Sequence, residues 1–175
     1  MPSRFKLQWN IKNTSSEKLV KDFLKEQEIS KTALTDIKFK GGQILVNGEE
    51  VNVRYQLKIG DALTIYFPLE EPSEGIVGET LNLDIVYEDK FLLVVNKPAR
   101  MNTIPSREHP YGSLAGALVG YYKLCGIIAT SHIVTRLDRD TSGLVLVAKH
   151  RHTHHLLSKQ QKNGMVKRTY EALVE

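Results

Sequence analysis

Ile133-Val134-Thr135-Arg136-Leu137-Asp138-Arg139-Asp140-Thr141-Ser142-Gly143-Leu144-Val145-Leu146-Val147-Ala148-Lys149 changes character halfway along its length. It begins polar and ends apolar. Val145, Val147 and their neighbours predict a buried strand, because β-branched side chains pack well on a pleated surface. Asp140, Thr141, Ser142 and Gly143 are turn formers, which puts Asp138 on a loop entering that strand. Reactive side chains are commonly displayed on loops held by rigid elements. Arg136 and Arg139 flank Asp138, with Asp140 close by. Cationic neighbours keep a carboxylate ionised, as a nucleophile or an electrostatic stabiliser requires. The residues alone leave a plain alternative open: a surface turn whose charges pair in solvent.

The flanks of this stretch predict an α+β domain. Leu81–Tyr87 reads as a strand, Glu88-Asp89-Lys90 as a turn, and Phe91 to Pro98 as a second strand. The second run is continuously apolar, which suggests a strand covered on both faces. Pro98 ends it for want of an N–H. Ser113 is placed to cap a helix from Leu114 to about Cys125, with Leu114, Leu118, Tyr121 and Tyr122 as a core stripe. Beyond Lys149, His150 and His154 have the i, i+4 spacing that can grip a metal on a helix. No nearby carboxylate or cysteine completes a ligand set, so a basic helix beside the strand is expected. Lys167 to Val174 reads as a further strand. The single cysteine, Cys125, lies among Leu124, Ile127 and Ile128 and reads as a buried thiol.

Working back to the start, Phe5, Leu7, Trp9 and Ile11 alternate with polar residues, as in a half-buried strand. Ser15 or Ser16 can cap a helix over Glu17–Gln27, and Ser30 a second over Lys31–Phe39, ended by Gly41-Gly42. Asn47-Gly48 between Ile44, Val46 and Val51, Val53 is a strong hairpin signal. Gly60-Asp61 turns the chain into a strand over Ala62–Phe67. The acidic, Pro- and Gly-bearing stretch at 71–79 predicts a linker between an N-terminal module of residues 1–70 and a second domain of residues 80–175.

Composition sets outer bounds. At 175 residues and 41% hydrophobic content, the chain can build one ordinary domain or two small ones. A net charge of +4 permits a polyanionic partner without requiring one. One cysteine excludes an internal disulfide framework and suits a reducing compartment. No segment is long and apolar enough to span a bilayer, and the first residues lack a secretory apolar region. A cytoplasmic, non-membrane protein is expected, as a monomer.

Arg136-Leu137-Asp138-Arg139-Asp140-Thr141-Ser142-Gly143-Leu144 resembles the catalytic signature of RNA pseudouridine synthases of the RluA/RluD type. Tyr87-Glu88-Asp89 followed by Leu93-Val94-Val95-Asn96-Lys97-Pro98 resembles another motif of that family, and Lys167-Arg168-Thr169-Tyr170 its lysine–tyrosine strand. Residues 15–67 resemble the αL RNA-binding module shared with a small-subunit ribosomal protein, through Ser30-Lys31, Gly42 to Gly48 and Leu57 to Asp61. Three departures stand out: Thr135 where the family usually has His, Arg100 where it commonly has Gly, and Ile104-Pro105 where it has His-Pro.

The resemblance implies an αL module followed by the first part of a mixed, largely antiparallel-sheet catalytic domain. It implies isomerisation of uridine to pseudouridine in structured rRNA or tRNA, with no metal or organic cofactor. Asp138 would be the nucleophile, Arg136 would occupy the vacated position or hold the extruded nucleotide, and Tyr170 would pack on the base or assist proton movement. Lys31, Lys38, Lys40, Arg54, Lys97 and Arg139 would contact RNA. Family members continue for roughly another domain half, with an arginine that pairs with the aspartate. The chain is therefore expected to stop inside the catalytic domain and to be inactive alone. Two rivals remain: a non-catalytic RNA-binding protein that keeps both modules, and an acid–base hydrolase using Asp138 and Asp140. The second fits poorly: residues two apart share a face only on a strand, and Asp138 and Asp140 are placed on a loop, where only an irregular turn would let them converge.

Overall fold

In the computed structural model, which describes residues 4–12, 17–70 and 75–174, the chain divides into two units. Unit 1 holds residues up to 71 together with 126–129, and unit 2 the remainder. Each carries one four-stranded sheet, and every strand pairing is antiparallel. With four helices among the described residues, the fold is α+β.

Unit 1 runs β1 (Lys6–Asn10), α1 (Val20–Glu26), α2 (Lys31–Phe39), β2 (Gln43–Val46), β3 (Glu49–Glu50) and β4 (Ala62–Tyr66), with sheet order β1-β4-β2-β3. Alternation in β1 aims Leu7 and Trp9 inward. They pack on a core of Val20, Phe23 and Leu24 from α1, Ile37 from α2, and Leu63 and Ile65 from β4. The Trp9 and Phe23 rings meet edge to face at 5.8 Å. Removing a side chain as well buried as Leu24 costs about 2–5 kcal/mol.

Two local signals are realised as read. Ser30 Oγ accepts from Ala33 N at 3.1 Å at the head of α2. Asn47 and Gly48 take φ of 53° and 88°, the left-handed pair that lets a two-residue hairpin follow strand twist. The turn is then tied to Asp61. Asn47 Nδ2 donates to Asp61 Oδ1 at 2.9 Å, Lys58 N to Asp61 Oδ2 at 2.8 Å, and Tyr55 OH to Asp61 Oδ2 at 3.3 Å. Asp61 is buried, and burial pushes its carboxyl up, but these three donors outweigh burial and hold it below its ordinary range.

Helix α1 departs from expectation. It begins at Val20 rather than Glu17, and Ser15 and Ser16 lie outside the described residues. Leu19 at the cap position supplies no side-chain bond. Instead Val20 N donates to Tyr55 O and Lys21 N to Val53 O, both at 3.0 Å. Two of the N–H groups any helix start leaves open are thus met by a distant loop. That loop is where Val53 was expected to continue a strand; β3 ends at Glu50 because the carbonyls beyond it serve α1.

Unit 2 runs β5 (Ile85–Glu88), β6 (Leu92–Lys97), α3 (Leu114–Leu124), β7 (His132–Ile133), β8 (Gly143–Ala148) and α4 (Arg151–Lys162), with sheet order β5-β6-β8-β7. The organising stretch forms β8, whose Val145 and Val147 are fully buried. Ser113 Oγ accepts from Gly116 N at 3.1 Å to cap α3. Leu114, Leu118 and Tyr122 are core, as the stripe predicts.

Four expectations are corrected here. Residues 77–79 are not free linker: Glu79 N donates to Gly116 O at 2.9 Å, and its carboxylate accepts from Gly112 N at 2.9 Å. Gly116 and Gly120 leave a side-chain-free face on α3, and a Cβ on Gly120 would run into the Glu79 carbonyl. Strand β5 starts only at Ile85, with a register shift before Tyr87, so Leu81–Asp84 is outside it. Cys125 is exposed, because α3 ends there and turns its last residues outward. Residues 167–174 form no strand; Leu173 and Val174 stand in solvent. A strand needs a partner for its N–H and C=O groups, and none of the described strands pairs with this segment.

Candidate active site and RNA-binding surface

The β6–β8 register sets Lys97, the last residue of β6, opposite Gly143, the first of β8. The end of one strand therefore meets the loop that feeds the other. Lys97 is fully buried, although an isolated lysine in a sequence reads as surface. Its ammonium donates to Pro98 O at 3.0 Å, Met101 O at 2.8 Å and Arg139 O at 3.3 Å. One cation thus clips the loop after β6 to the loop of Asp138. Burial pulls the lysine below its ordinary range, while the carboxylates of Asp140 and Asp138 pull it back up.

Thr103 adds a second clip. Its hydroxyl donates to Leu137 O at 2.6 Å and accepts from Leu137 N at 3.4 Å. Thr135 makes a third, its Oγ1 accepting from Leu146 N at 2.9 Å, while Val134 N donates to Leu146 O at 2.8 Å. The threonine at the position where histidine is usual is therefore a buried structural bond to β8. Thr141 N closes the turn on Asp138 O at 3.2 Å. The peptides on both sides of Asp138 are fixed, at Leu137 and at Arg139, and its carboxylate is exposed between them.

Arg136 and Arg139 are exposed on the same loop. Neither forms a salt bridge with Asp138 among the described residues, so the charge pairing of a plain surface turn is not made. Lys97 supplies the buried charge of the site instead. This corrects its reading as an RNA contact: an ammonium wholly buried on three carbonyls presents nothing to a phosphate. Tyr170 is exposed and outside any strand, and no hydrogen bond or ring contact joins it to the Asp138 loop among the described residues. Thr103 was missed from sequence; a lone threonine in a loop carries no signal of the carbonyl it will meet.

Behind the site, the Tyr87-Glu88-Asp89 motif is a latch. Lys149 Nζ donates to Glu88 Oε1 at 2.8 Å and to Asp89 O at 2.9 Å, tying the end of β8 to the β5–β6 turn. Tyr121 OH donates to Glu88 Oε2 at 2.7 Å. Burial raises the Glu88 carboxyl, but Lys149 and Tyr121 outweigh it and hold the group low. The Glu88 bond and burial push the Tyr121 phenol well above its usual range. The paired histidines have local work: His150 heads α4 with Nε2 3.2 Å from Lys90 O, and the His154 ring lies 5.6 Å from that of His132.

In unit 1 the expected RNA contacts separate. Lys38 and Arg54 line one cleft of about 430 Å³ with Gln43, Asn52 and Glu50. Lys31 is exposed at the start of α2, and Lys40 pairs with Asp36 at 2.9 Å.

A family described as RNA pseudouridylate synthase matches residues 91–175. An uncharacterized RNA pseudouridine synthase of Bacillus subtilis is 55% identical over 155 residues, covering 89% of this chain and 55% of that protein. A second from the same organism is 41% identical, covering 77% of this chain and 45% of its own length. Ribosomal large subunit pseudouridine synthase D of Pseudomonas aeruginosa is 35% identical, with 77% and 42% covered. The chain spans about half the length of these curated relatives.

Proposed function

We propose that this chain, whose residues 91–175 match the RNA pseudouridylate synthase family, serves a cytoplasmic enzyme isomerising uridine in structured RNA with Asp138 as nucleophile. The observation that carries this reading is the double clamp on Asp138. Lys97 and Thr103 fix the peptides on either side, yet the carboxylate itself is left exposed. A nucleophile needs that combination of fixed geometry and open access. A solvated turn would have no use for a buried lysine.

The reaction breaks the C1′–N1 bond, turns the base and joins C1′ to C5; N1 gains a proton and C5 loses one. A base inside folded RNA must first leave its stack, at a cost of a few kcal/mol. Arg136, exposed two residues before Asp138, is suited to hold the extruded nucleotide through its phosphate. Arg139 presents a second cation on the same loop. Tyr170 packing on the base is carried by the motif around it rather than by a contact. Lys31, Lys38, Lys40 and Arg54 would hold RNA backbone at unit 1 without reading sequence. Large-subunit ribosomal RNA is the favoured substrate, because relatives of this chain are named for it.

Loss of tritium from 5-labelled uridine RNA measures the C5 step directly. In the full-length protein, Asp138→Asn keeps the shape of the loop and removes the anionic oxygen, so turnover should drop below detection while RNA affinity persists. Asp140→Asn, on the same turn, should retain substantial activity. Near-normal turnover by Asp138→Asn refutes the assignment; equal losses in both variants would mean that the loop, not the nucleophile, was damaged.

A further inference from the structure

Between Thr141 and Tyr170 the chain has six basic residues and no Asp or Glu; elsewhere 18 basic residues face 20 acidic ones. The net charge of +4 therefore belongs to this one stretch. Lys149 is engaged by Glu88. The following residues form α4, where Arg151, His155, Lys159 and Lys162 are all exposed, while His152 and Thr153 are buried. Their spacing of four, four and three places them along one side of the helix. At 1.5 Å per residue the row is about 17 Å long. Lys167 and Arg168, also exposed, continue the charge beyond it.

We infer that the outer side of α4 is an RNA phosphate-binding surface, distinct from the lysines of unit 1. This inference rests on the reading of the chain as an RNA-acting enzyme. A row with three cations, Arg151, Lys159 and Lys162, suits a polyanion, whose counterions each contact releases. The row lacks the buried aromatic anchors that dominate protein–protein interfaces, which favours nucleic acid over an acidic protein. Its position gives it a use. Strand β8 runs from the Asp138 loop to the head of α4, and α4 packs on β8 and β7. Phosphate held on α4 is thereby held in fixed relation to the nucleophile. Such contacts position a substrate without selecting a base.

The test uses transcribed large-subunit ribosomal RNA as probe and the full-length protein with Lys159→Gln and Lys162→Gln together. Affinity is measured across a salt series, with circular dichroism to confirm the fold. The wild-type log–log salt slope should lose roughly 0.7–0.9 per contact removed, so up to about two for the pair. Affinity at moderate salt should fall roughly tenfold, and Lys159→Arg with Lys162→Arg should restore both. An unchanged slope in a wild type that binds RNA overturns this inference alone, and would leave the row to an acidic protein. A wild type that binds no RNA overturns it together with the functional reading.

Discussion

Each unit buries an ion that ties loops together, and the two are of opposite sign. In unit 1 it is Asp61, a carboxylate held by the backbone N–H of Lys58 and by Asn47 and Tyr55. In unit 2 it is Lys97, an ammonium held by three backbone carbonyls. Both follow one rule: a buried charge survives where polar groups replace its water. The uses differ. Asp61 locks a hairpin to the turn before β4, all within fifteen residues of chain. Lys97 joins a strand end to a loop 42 residues away, and that loop carries Asp138. The same physics builds a fold in one place and positions a candidate reactive group in the other.

Substitution of the two ions should break the symmetry between them. Lys97→Met removes the cation and leaves three carbonyls converging on a thioether. Hydrogen bonds to a charged group contribute about 1.5–3 kcal/mol each, so with partial relaxation a loss of about 3 kcal/mol is expected, read from urea unfolding midpoints. Turnover should collapse as well, because the Arg139 side of the Asp138 loop is no longer tied. Lys97→Arg should fail to rescue, since a planar fork cannot address three carbonyls gathered round a point. A Lys97→Met protein with wild-type turnover per folded molecule would sink the clamp.

Asp61→Asn should cost less, about 1–2 kcal/mol, because the amide oxygen keeps one acceptor while its NH₂ faces a donor. Turnover per folded molecule should be unchanged, since nothing in the Asp61 network belongs to unit 2. If Asp61→Asn instead abolished turnover in a fully folded protein, the separation of a structural ion from a site-building one would be wrong.

The same contrast decides what the sequence could reveal. Unit 1's hairpin was legible because Asn-Gly is a local signal with a local cause, the positive φ at both positions. Ser30 and Ser113 were legible as caps for the same reason, and the strands β6 and β8 through their β-branched runs. What failed to show was held by distance. The start of α1 is set by carbonyls of residues 53 and 55 rather than by a serine next to it. Lys97 gave no hint of burial, because the carbonyls that justify it come from two separate loops. Tyr170 and its neighbours have strand composition, but composition does not supply the partner a strand requires. The candidate nucleophile was visible through its motif and Lys97 through its own, but the burial of Lys97 and the role of Thr103 became visible only with the fold.

The smallest expected effect concerns pH, and it separates the two ions by mechanism. Both have pKa values below their ordinary ones, Asp61 below 3.8 and Lys97 below 10.5, for opposite reasons. At Asp61 the fold favours the charge; at Lys97 burial penalises it. In each window between the folded and the ordinary value, the unfolded chain holds more protons than the folded one, so stability rises with pH. Asp61's contribution is complete above its ordinary value and is lost as pH falls through the folded one. The Lys97 penalty is in force at neutral pH and lifts as pH climbs toward 10.5. Glu88 and Asp89, held low as well, add to the acid limb. Tyr55, Tyr87 and Tyr121, raised above 10.0, lower stability at the alkaline end, so each ion is read as wild type minus variant. Unfolding midpoints measured from about pH 2 to about pH 11 give those differences. The Asp61→Asn difference should shrink toward the acid end, and the Lys97→Met difference should grow toward the alkaline end. A Lys97→Met curve parallel to wild type above neutrality would mean that the ammonium is not paying for its burial, and that its three carbonyls solvate it as well as water does.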